Sequence, residues 1–188
     1  MFFQGDSIPH ETMRRLADRL EQLGVPYAVV GAMAVNAHGA RRTTDDVDIL
    51  VTREGFEHFK KELAGKEYER VQGRSRRFVD KVNGGSLDFL IAGLFPGSGR
   101  PGPVAFPDPA TVSEEIEKLR VIRLPELIEL KLAARRYYDF GDVVALIRVH
   151  NLDESFADRL HESVRRDYME CLEEKRREDS YESRQTED

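Results

Sequence analysis

Gly31-Ala32-Met33-Ala34, then Gly39, Arg42 and Thr44, and finally Asp46-Val47-Asp48 form the most informative segment of the chain. Residues 32–37 are small and mostly apolar, bounded by Gly31 and Gly39, and suit a short helix packed tightly on a sheet. Residues 27–30 before them are a short apolar run that reads as a buried strand, and residues 46–51 after them read as another. Strand side chains alternate between faces. Asp46 and Asp48 therefore point the same way, while Val47, Ile49 and Val51 enter the opposite layer. Two carboxylates about 7 Å apart along one strand repel each other, and persist where a cation lies between them or water bathes them. Asp88 repeats the pattern as the one acid in Ser86-Leu87-Asp88-Phe89-Leu90-Ile91. A lone charge there calls for a partner or a metal.

Three carboxylates converging from adjacent strands make a hard-oxygen site suited to Mg²⁺. Two such ions can clamp the attacking and leaving oxygens of a phosphoryl transfer. Gly31, where a strand passes into a helix, offers free backbone N–H groups and lets the backbone approach a polyphosphate closely. Bland readings stand beside these. Arg42 either contacts phosphate or substrate, or neutralises Asp46 or Asp48. Thr44 either supports the strand or caps the turn before it. Lys131 either snorkels to the surface or enters the cleft, and Arg135, four residues on, shares its helix face. Asp139 reads as a helix N-cap, Asp142 as a partner of Arg135 or Arg136, and His38 as a satisfied structural histidine. At most one of Tyr137 and Tyr138 can stack on a base.

Outward from this core, Ser7 and Pro9 open a helix carrying Met13, Leu16, Leu20 and Leu23, which Gly24 and Pro26 end. Residues 54–63 form an amphipathic helix with Phe56, Phe59 and Leu63 on one face. Residues 68–71 and 77–82 read as paired strands, and Asn83-Gly84-Gly85 as a turn. The basic cluster Arg70, Arg74, Arg76, Arg77 and Lys81 is a solvated hairpin or steers a nucleic acid or triphosphate. Residues 1–93 thus form an α+β core, a mixed sheet with flanking helices. Residues 94–118 are a Gly- and Pro-rich loop and connector, a lid or a spacer. Residues 119–172 supply one more strand and C-terminal helices that pack on the core. Residues 173–188 are a charged tail, a solvated helix end or disordered.

The chain has 188 residues and a net charge of -6, with 40% hydrophobic and 34% charged residues, enough for one core under a charged surface. Collagen-like, low-complexity and wholly disordered classes are excluded. Cys171 is the only cysteine, so a disulfide scaffold is excluded and a reducing, cytoplasmic setting is expected. No apolar run reaches about 18 residues, so no membrane span is expected, and Met1 to Asp6 lacks the features of a signal peptide. The acidity argues against duplex-DNA binding. The five histidines form no spaced motif, which places a metal-dependent phosphohydrolase or nuclease last.

The pattern Gly31-Ala32, Gly39 and Arg42-Thr43-Thr44-Asp45-Asp46-Val47-Asp48 resembles the signature of the nucleotidyltransferase superfamily, the polymerase-beta-like fold. Its nearest variant is the AbiEii-type toxin and minimal nucleotidyltransferase branch. Asp88 matches the third carboxylate of that family in strand and order. The run Leu124-Pro125-Glu126-Leu127-Ile128-Glu129-Leu130-Lys131-Leu132-Ala133-Ala134, then Arg135, Arg136, Asp139 and Asp142, is similar to the branch's C-terminal helix. The resemblance spans residues 10–155. It implies transfer of a nucleoside monophosphate from an NTP to a hydroxyl on tRNA, protein or a small molecule. It implies two Mg²⁺ ions, with Mn²⁺ as an alternative, held by Asp46, Asp48 and Asp88 as catalytic and metal residues. Gly31, Ala32, Arg42, Thr44, Lys131 and Arg135 would bind the nucleotide, and an antitoxin partner becomes an expectation. A non-catalytic binding or regulatory module is the alternative. Two positions depart from the branch: Ala32 replaces the second Gly or Ser of the turn, and Tyr138 stands where Lys is common.

Overall fold

In the computed structural model, which describes residues 5–185, β2 (Asp46–Val51) and β5 (Ser86–Ile91) lie side by side and parallel. Asp48 is opposite Asp88, and Asp46 is opposite Ser86. Val47, Ile49 and Val51 are buried with Leu87, Phe89 and Ile91. The three acids stand on the other face, each only partly covered. This is the alternation expected of strands with one apolar face.

The remaining strands extend the sheet in both directions. β1 (Tyr27–Val29) pairs antiparallel with β2, and β7 (Leu119–Ile122) pairs parallel with β1. On the far side β4 (Arg77–Asp80) joins β5 and β3 (Tyr68–Arg70) joins β4, both antiparallel. With β6 (Ser113–Ile116) at the opposite edge, the mixed seven-stranded sheet runs β3-β4-β5-β2-β1-β7-β6.

Helices α1 (Ile8–Gln22) and α3 (Arg53–Glu62) supply much of the core. α1 begins with Pro9 in its first turn and stops at Gly24, whose φ of +65° is cheap only for glycine. It buries Met13, Leu16 and Leu20. Thr52 caps α3, its Oγ1 accepting the Gly55 N–H at 3.0 Å. Phe56 and Phe59 then meet Phe78 and Phe89 of the sheet, the Phe59 and Phe89 rings being 4.4 Å apart. α2 (Gly31–Ala37), α5 (Leu124–Ala134) and α6 (Tyr137–His150) bring residues to the acidic face. A 3₁₀ turn (Glu154–Arg159) leads to α7 (Glu162–Gln185), which packs on α6. His38 is buried, with Nε2 2.8 Å from the Ile122 carbonyl, as a structural histidine.

One sequence expectation needs correction. The connector expected over 94–118 is a loop only to residue 108. It then forms the short helix α4 (Pro109–Val112) and strand β6. β6 and β7 join through Glu117 and Lys118, both at positive φ (50° and 69°). That two-residue geometry is normally flagged by Asn or Gly, and neither is present. The loop is also anchored at its base: Gly93 N–H donates to the Phe106 carbonyl and Phe106 N–H to the Leu94 carbonyl, at 2.8 and 2.7 Å. The charged tail is helical as far as residue 185, braced by pairs such as Lys175–Asp179 at 2.6 Å. The expectations for residues 1–4 and 186–188 lie outside the described residues. Among the described residues, no helix is long and apolar enough to cross a membrane.

Phe59 is fully buried at the centre of the aromatic cluster. Phe59→Ala is expected to lower unfolding free energy by about 3–5 kcal/mol, read from denaturant melts.

Candidate active site

Gly31 fixes the centre of the site. Its φ is +63°, and a Cβ built there would lie 2.0 Å from Oδ2 of Asp48. No side chain fits, so the strand-to-helix corner lies directly on that carboxylate. Asp48 has no side-chain hydrogen bond or ion pair among the described residues. Burial first, then the charges of Asp46 and Asp88, push its carboxyl up to about 6, against a weaker opposing pull from Arg136 and Lys131.

The outer two carboxylates share one cation. Arg77 on β4 lies opposite Asp88. Its Nη2 is 3.3 Å from Asp46 Oδ2, and its Nε is 3.6 Å from Asp88 Oδ2. Nε also donates to Ser86 Oγ at 3.0 Å. The Asp88 carboxyl is raised by burial, with Arg77 opposing the rise and Asp46 adding to it. Thr44 donates its hydroxyl to the Asp46 backbone carbonyl at 2.9 Å, which places it as a support for the strand.

The opposite wall is a chain of five alternating charges. Lys131 is buried, with Nζ 2.6 Å from Asp142 Oδ2 and 3.3 Å from Asp139 Oδ1. Arg136 Nε donates to Asp139 at 2.6 Å, and Arg42 Nη1 donates to Asp142 at 2.5 Å. The Tyr138 ring lies between the two arginines, 4.9 Å from the Arg42 guanidinium carbon and 5.0 Å from that of Arg136. Tyr137 is 99% exposed and takes no part.

Several sequence readings are corrected here. Arg42 neutralises Asp142, a hundred residues away, and neither Asp46 nor Asp48. Asp142 pairs with Arg42 and Lys131, not with Arg135 or Arg136. Asp139 lies inside α6 and is an ion-pair partner; the N-cap is Arg136. Arg135 does not share the Lys131 face. The helix ends at Ala134, Arg135 turns left-handed (φ 56°), and its guanidinium reaches Asp167 at 2.9 Å beside a separate cavity. Arg136, which sequence reasoning did not place in the site, takes the wall instead. No residue pattern marks a helix that stops one position before Arg135.

The cleft has two lobes that meet at Gly31, Asp48, Lys131 and Arg136. A polar lobe of about 330 Å³ is lined by Ala32, Arg42, Thr44, Asp46, Tyr138 and Asp139. A second lobe of about 440 Å³ lies on the Asp88 side, walled by Leu90, Phe95, Phe106, Leu127 and Leu130, with Arg76 at its margin. Of the residues expected from the sequence, Gly31, Ala32, Arg42, Thr44, Asp46, Asp48, Asp88 and Lys131 are brought together; Arg135 is not.

Among the described residues, no group of three or more His, Cys, Asp and Glu is gathered closely enough to hold a metal ion. Arg77 spans Asp46 and Asp88 instead. In donor chemistry the three carboxylates fit a hard divalent cation, and Asp48 is the member left without a counter-charge.

No protein-family model matches the sequence, and no curated protein matches it. Among solved structures, ANT(2")-Ia in complex with adenylyl-2"-tobramycin aligns over 86% of this chain and 99% of its own, with 13% identity and a TM-score of 0.50. An antigenic nucleotidyltransferase-like protein from Paracoccidioides brasiliensis covers 87% and 91%, with 15% identity and a TM-score of 0.48. JHP933 from Helicobacter pylori covers 80% and 70%, with 16% identity and a TM-score of 0.45. The chain has the nucleotidyltransferase fold.

Asp48 carries a testable cost. Its folded-state carboxyl titrates near 6, above its ordinary value of 3.8. The folded state therefore binds the proton more tightly than the unfolded state, and stability falls as pH rises from about 4 through 6. In metal-free buffer, Asp48→Asn is expected to be more stable than wild type at pH 7.5 by about 1–3 kcal/mol. That gap should close below pH 4 in thermal melts across pH.

Proposed function

We propose that this chain transfers a nucleoside monophosphate from an NTP to a hydroxyl acceptor. The observation that carries the reading is Asp48 opposite Asp88 on parallel strands, beneath a glycine corner too tight for any side chain. Asp46, Asp48 and Asp88 would hold divalent ions, two Mg²⁺ or Mn²⁺, which when bound supply charge neutralisation to the phosphates. Bound ions would compete with Arg77 for Asp46 Oδ2 and Asp88 Oδ2.

The polar lobe receives the triphosphate. Lys131 has two N–H bonds committed to Asp139 and Asp142 and a third donor free for a phosphate oxygen. Arg42 and Arg136, braced by the same two acids, flank it. Gly31 lets the backbone come close, and Ala32 adds a methyl where a hydroxyl donor would otherwise stand. Asp88, at the edge of the second lobe, accepts the proton of the attacking hydroxyl. Carriers of that hydroxyl include an RNA end, a protein side chain and a small molecule such as an aminoglycoside.

A second reading, a non-catalytic module on the same fold, draws support from Ala32 and from the Arg77 guanidinium lying across Asp46 and Asp88. Radiolabelled NTPs with Mg²⁺ or Mn²⁺ separate the two. Catalysis predicts nucleotide-dependent thermal stabilisation and pyrophosphate release. Asp48→Asn should lower that release by at least about a hundredfold. A wild-type chain that meets all four NTPs with either metal and shows no stabilisation or turnover would overturn the proposal.

A further inference from the structure

Resting on the reading that Asp46, Asp48 and Asp88 hold divalent ions, we infer that Arg77 is a displaceable counter-ion that sets the ion concentration at which the site fills. Among the described residues, no three His, Cys, Asp or Glu side chains are gathered closely enough to hold a metal ion. What stands between the outer two carboxylates is the Arg77 guanidinium, with Nη2 3.3 Å from Asp46 Oδ2 and Nε 3.6 Å from Asp88 Oδ2. Strand pairing puts it there. Arg77 is opposite Asp88, and Asp46 is opposite Ser86, whose Oγ accepts from Arg77 Nε at 3.0 Å. The charges at this spot do not balance. Lys131 and Arg136 are committed to Asp139 and Asp142. Three ionised carboxylates facing one guanidinium therefore leave two negative charges, the complement of one divalent ion.

Of the cations around the cleft, Arg77 is the one held loosely enough to yield. Lys131, Arg136 and Arg42 have carboxylate oxygens at 2.6, 2.6 and 2.5 Å, as a charge-assisted hydrogen bond requires. Both carboxylate contacts of Arg77 are longer than that range. The Lys131 side chain is 7% exposed, whereas those of Arg77, Asp46 and Asp88 are 38%, 38% and 35% exposed, so water competes for each contact. Leaving requires no backbone movement. β4 buries Phe78 and Asp80 on one face and keeps Arg77 and Val79 partly exposed on the other, where the long side chain can turn outward. A site that is open for only a fraction of the time binds its ion more weakly by that fraction. A guanidinium bridge made nine-tenths of the time thus raises the filling concentration about tenfold. In this role Arg77 acts through the carboxylates and touches no reacting atom.

The full chain, stripped with chelator and titrated with Mn²⁺ without nucleotide, tests this. Uptake is read as loss of the free-ion paramagnetic resonance signal, and Mg²⁺ is read by competition. Arg77→Gln should take up Mn²⁺ at least about tenfold more tightly than wild type. Arg77→Lys keeps the charge but loses the planar fork that spans two carboxylates, and should tighten uptake by about threefold or more. Arg74→Gln removes the same charge from the exposed turn before β4, and should change uptake by less than about twofold. In chelator, Arg77→Gln should melt below wild type, since two carboxylates lose their shared cation. Mn²⁺ should then raise its melting temperature more than it raises that of wild type. Uptake no tighter in either Arg77 variant, or as much tightening from Arg74→Gln as from Arg77→Gln, would overturn the inference. The ion site beneath it has a separate readout. If neither wild type nor Arg77→Gln takes up Mn²⁺, or if Asp48→Asn with Asp88→Asn takes it up as well as wild type, that site itself has failed, whatever Arg77 does.

Discussion

The register that sets Asp48 against Asp88 brings like charges together on the floor of a cleft, and much of the surrounding architecture answers that constraint. Carboxylates in such a place are tolerable only with counter-charge or a shifted pKa. Arg77 can serve Asp46 and Asp88 together because β4 pairs with β5 on the side away from β2. Lys131 and Arg136 approach from the helical layer, close enough to act on Asp48 but committed to other acids. Asp48 therefore keeps an uncompensated charge, and Gly31 holds the backbone against it. A fold selected for stability alone would gain from an amide at this position.

The second concentration of charge works differently. Lys131, Asp139 and Asp142 are buried, and each acid is shared between Lys131 and one arginine. Deleting one member of such a set strands its neighbours and costs far more than breaking a surface pair. The contrast with α7 is direct. Its exposed pairs, such as Arg177 with Glu174, hold long side chains in open solvent and contribute little each. The buried chain fixes where Arg42 and Arg136 stand, and both guanidinium groups lie about 5 Å from the Tyr138 ring centre.

Strand placement was legible where alternation was strict. Residues 46–51 and 86–91 were located in full because each has one apolar and one polar face, and that pattern also put all three acids on one side. The β6 strand was not legible, since Ser113, Glu114 and Glu115 show no such alternation and its turn lacks Asn or Gly. The Arg42–Asp142 pair was hidden for another reason. It joins a loop before β2 to a helix a hundred residues later, and only the packing of α6 brings them together. The exchange of Arg135 for Arg136 turned on a single residue in a left-handed conformation, which extrapolating helical spacing from Lys131 could not register.

The two lobes differ in their linings. One is hemmed by Arg42, Thr44 and the braced acids; the other sets Leu90, Phe95, Phe106, Leu127 and Leu130 beside Arg76 and Asp88. The residues common to them are Gly31, Asp48, Lys131 and Arg136. One of these is a glycine whose missing side chain keeps the junction clear, one an acid without a partner, and two are cations whose own partners hold them in place. Ala32 lines the polar lobe alone. Its methyl stands on a wall that already carries Arg42, Lys131 and Arg136, and it leaves the junction untouched.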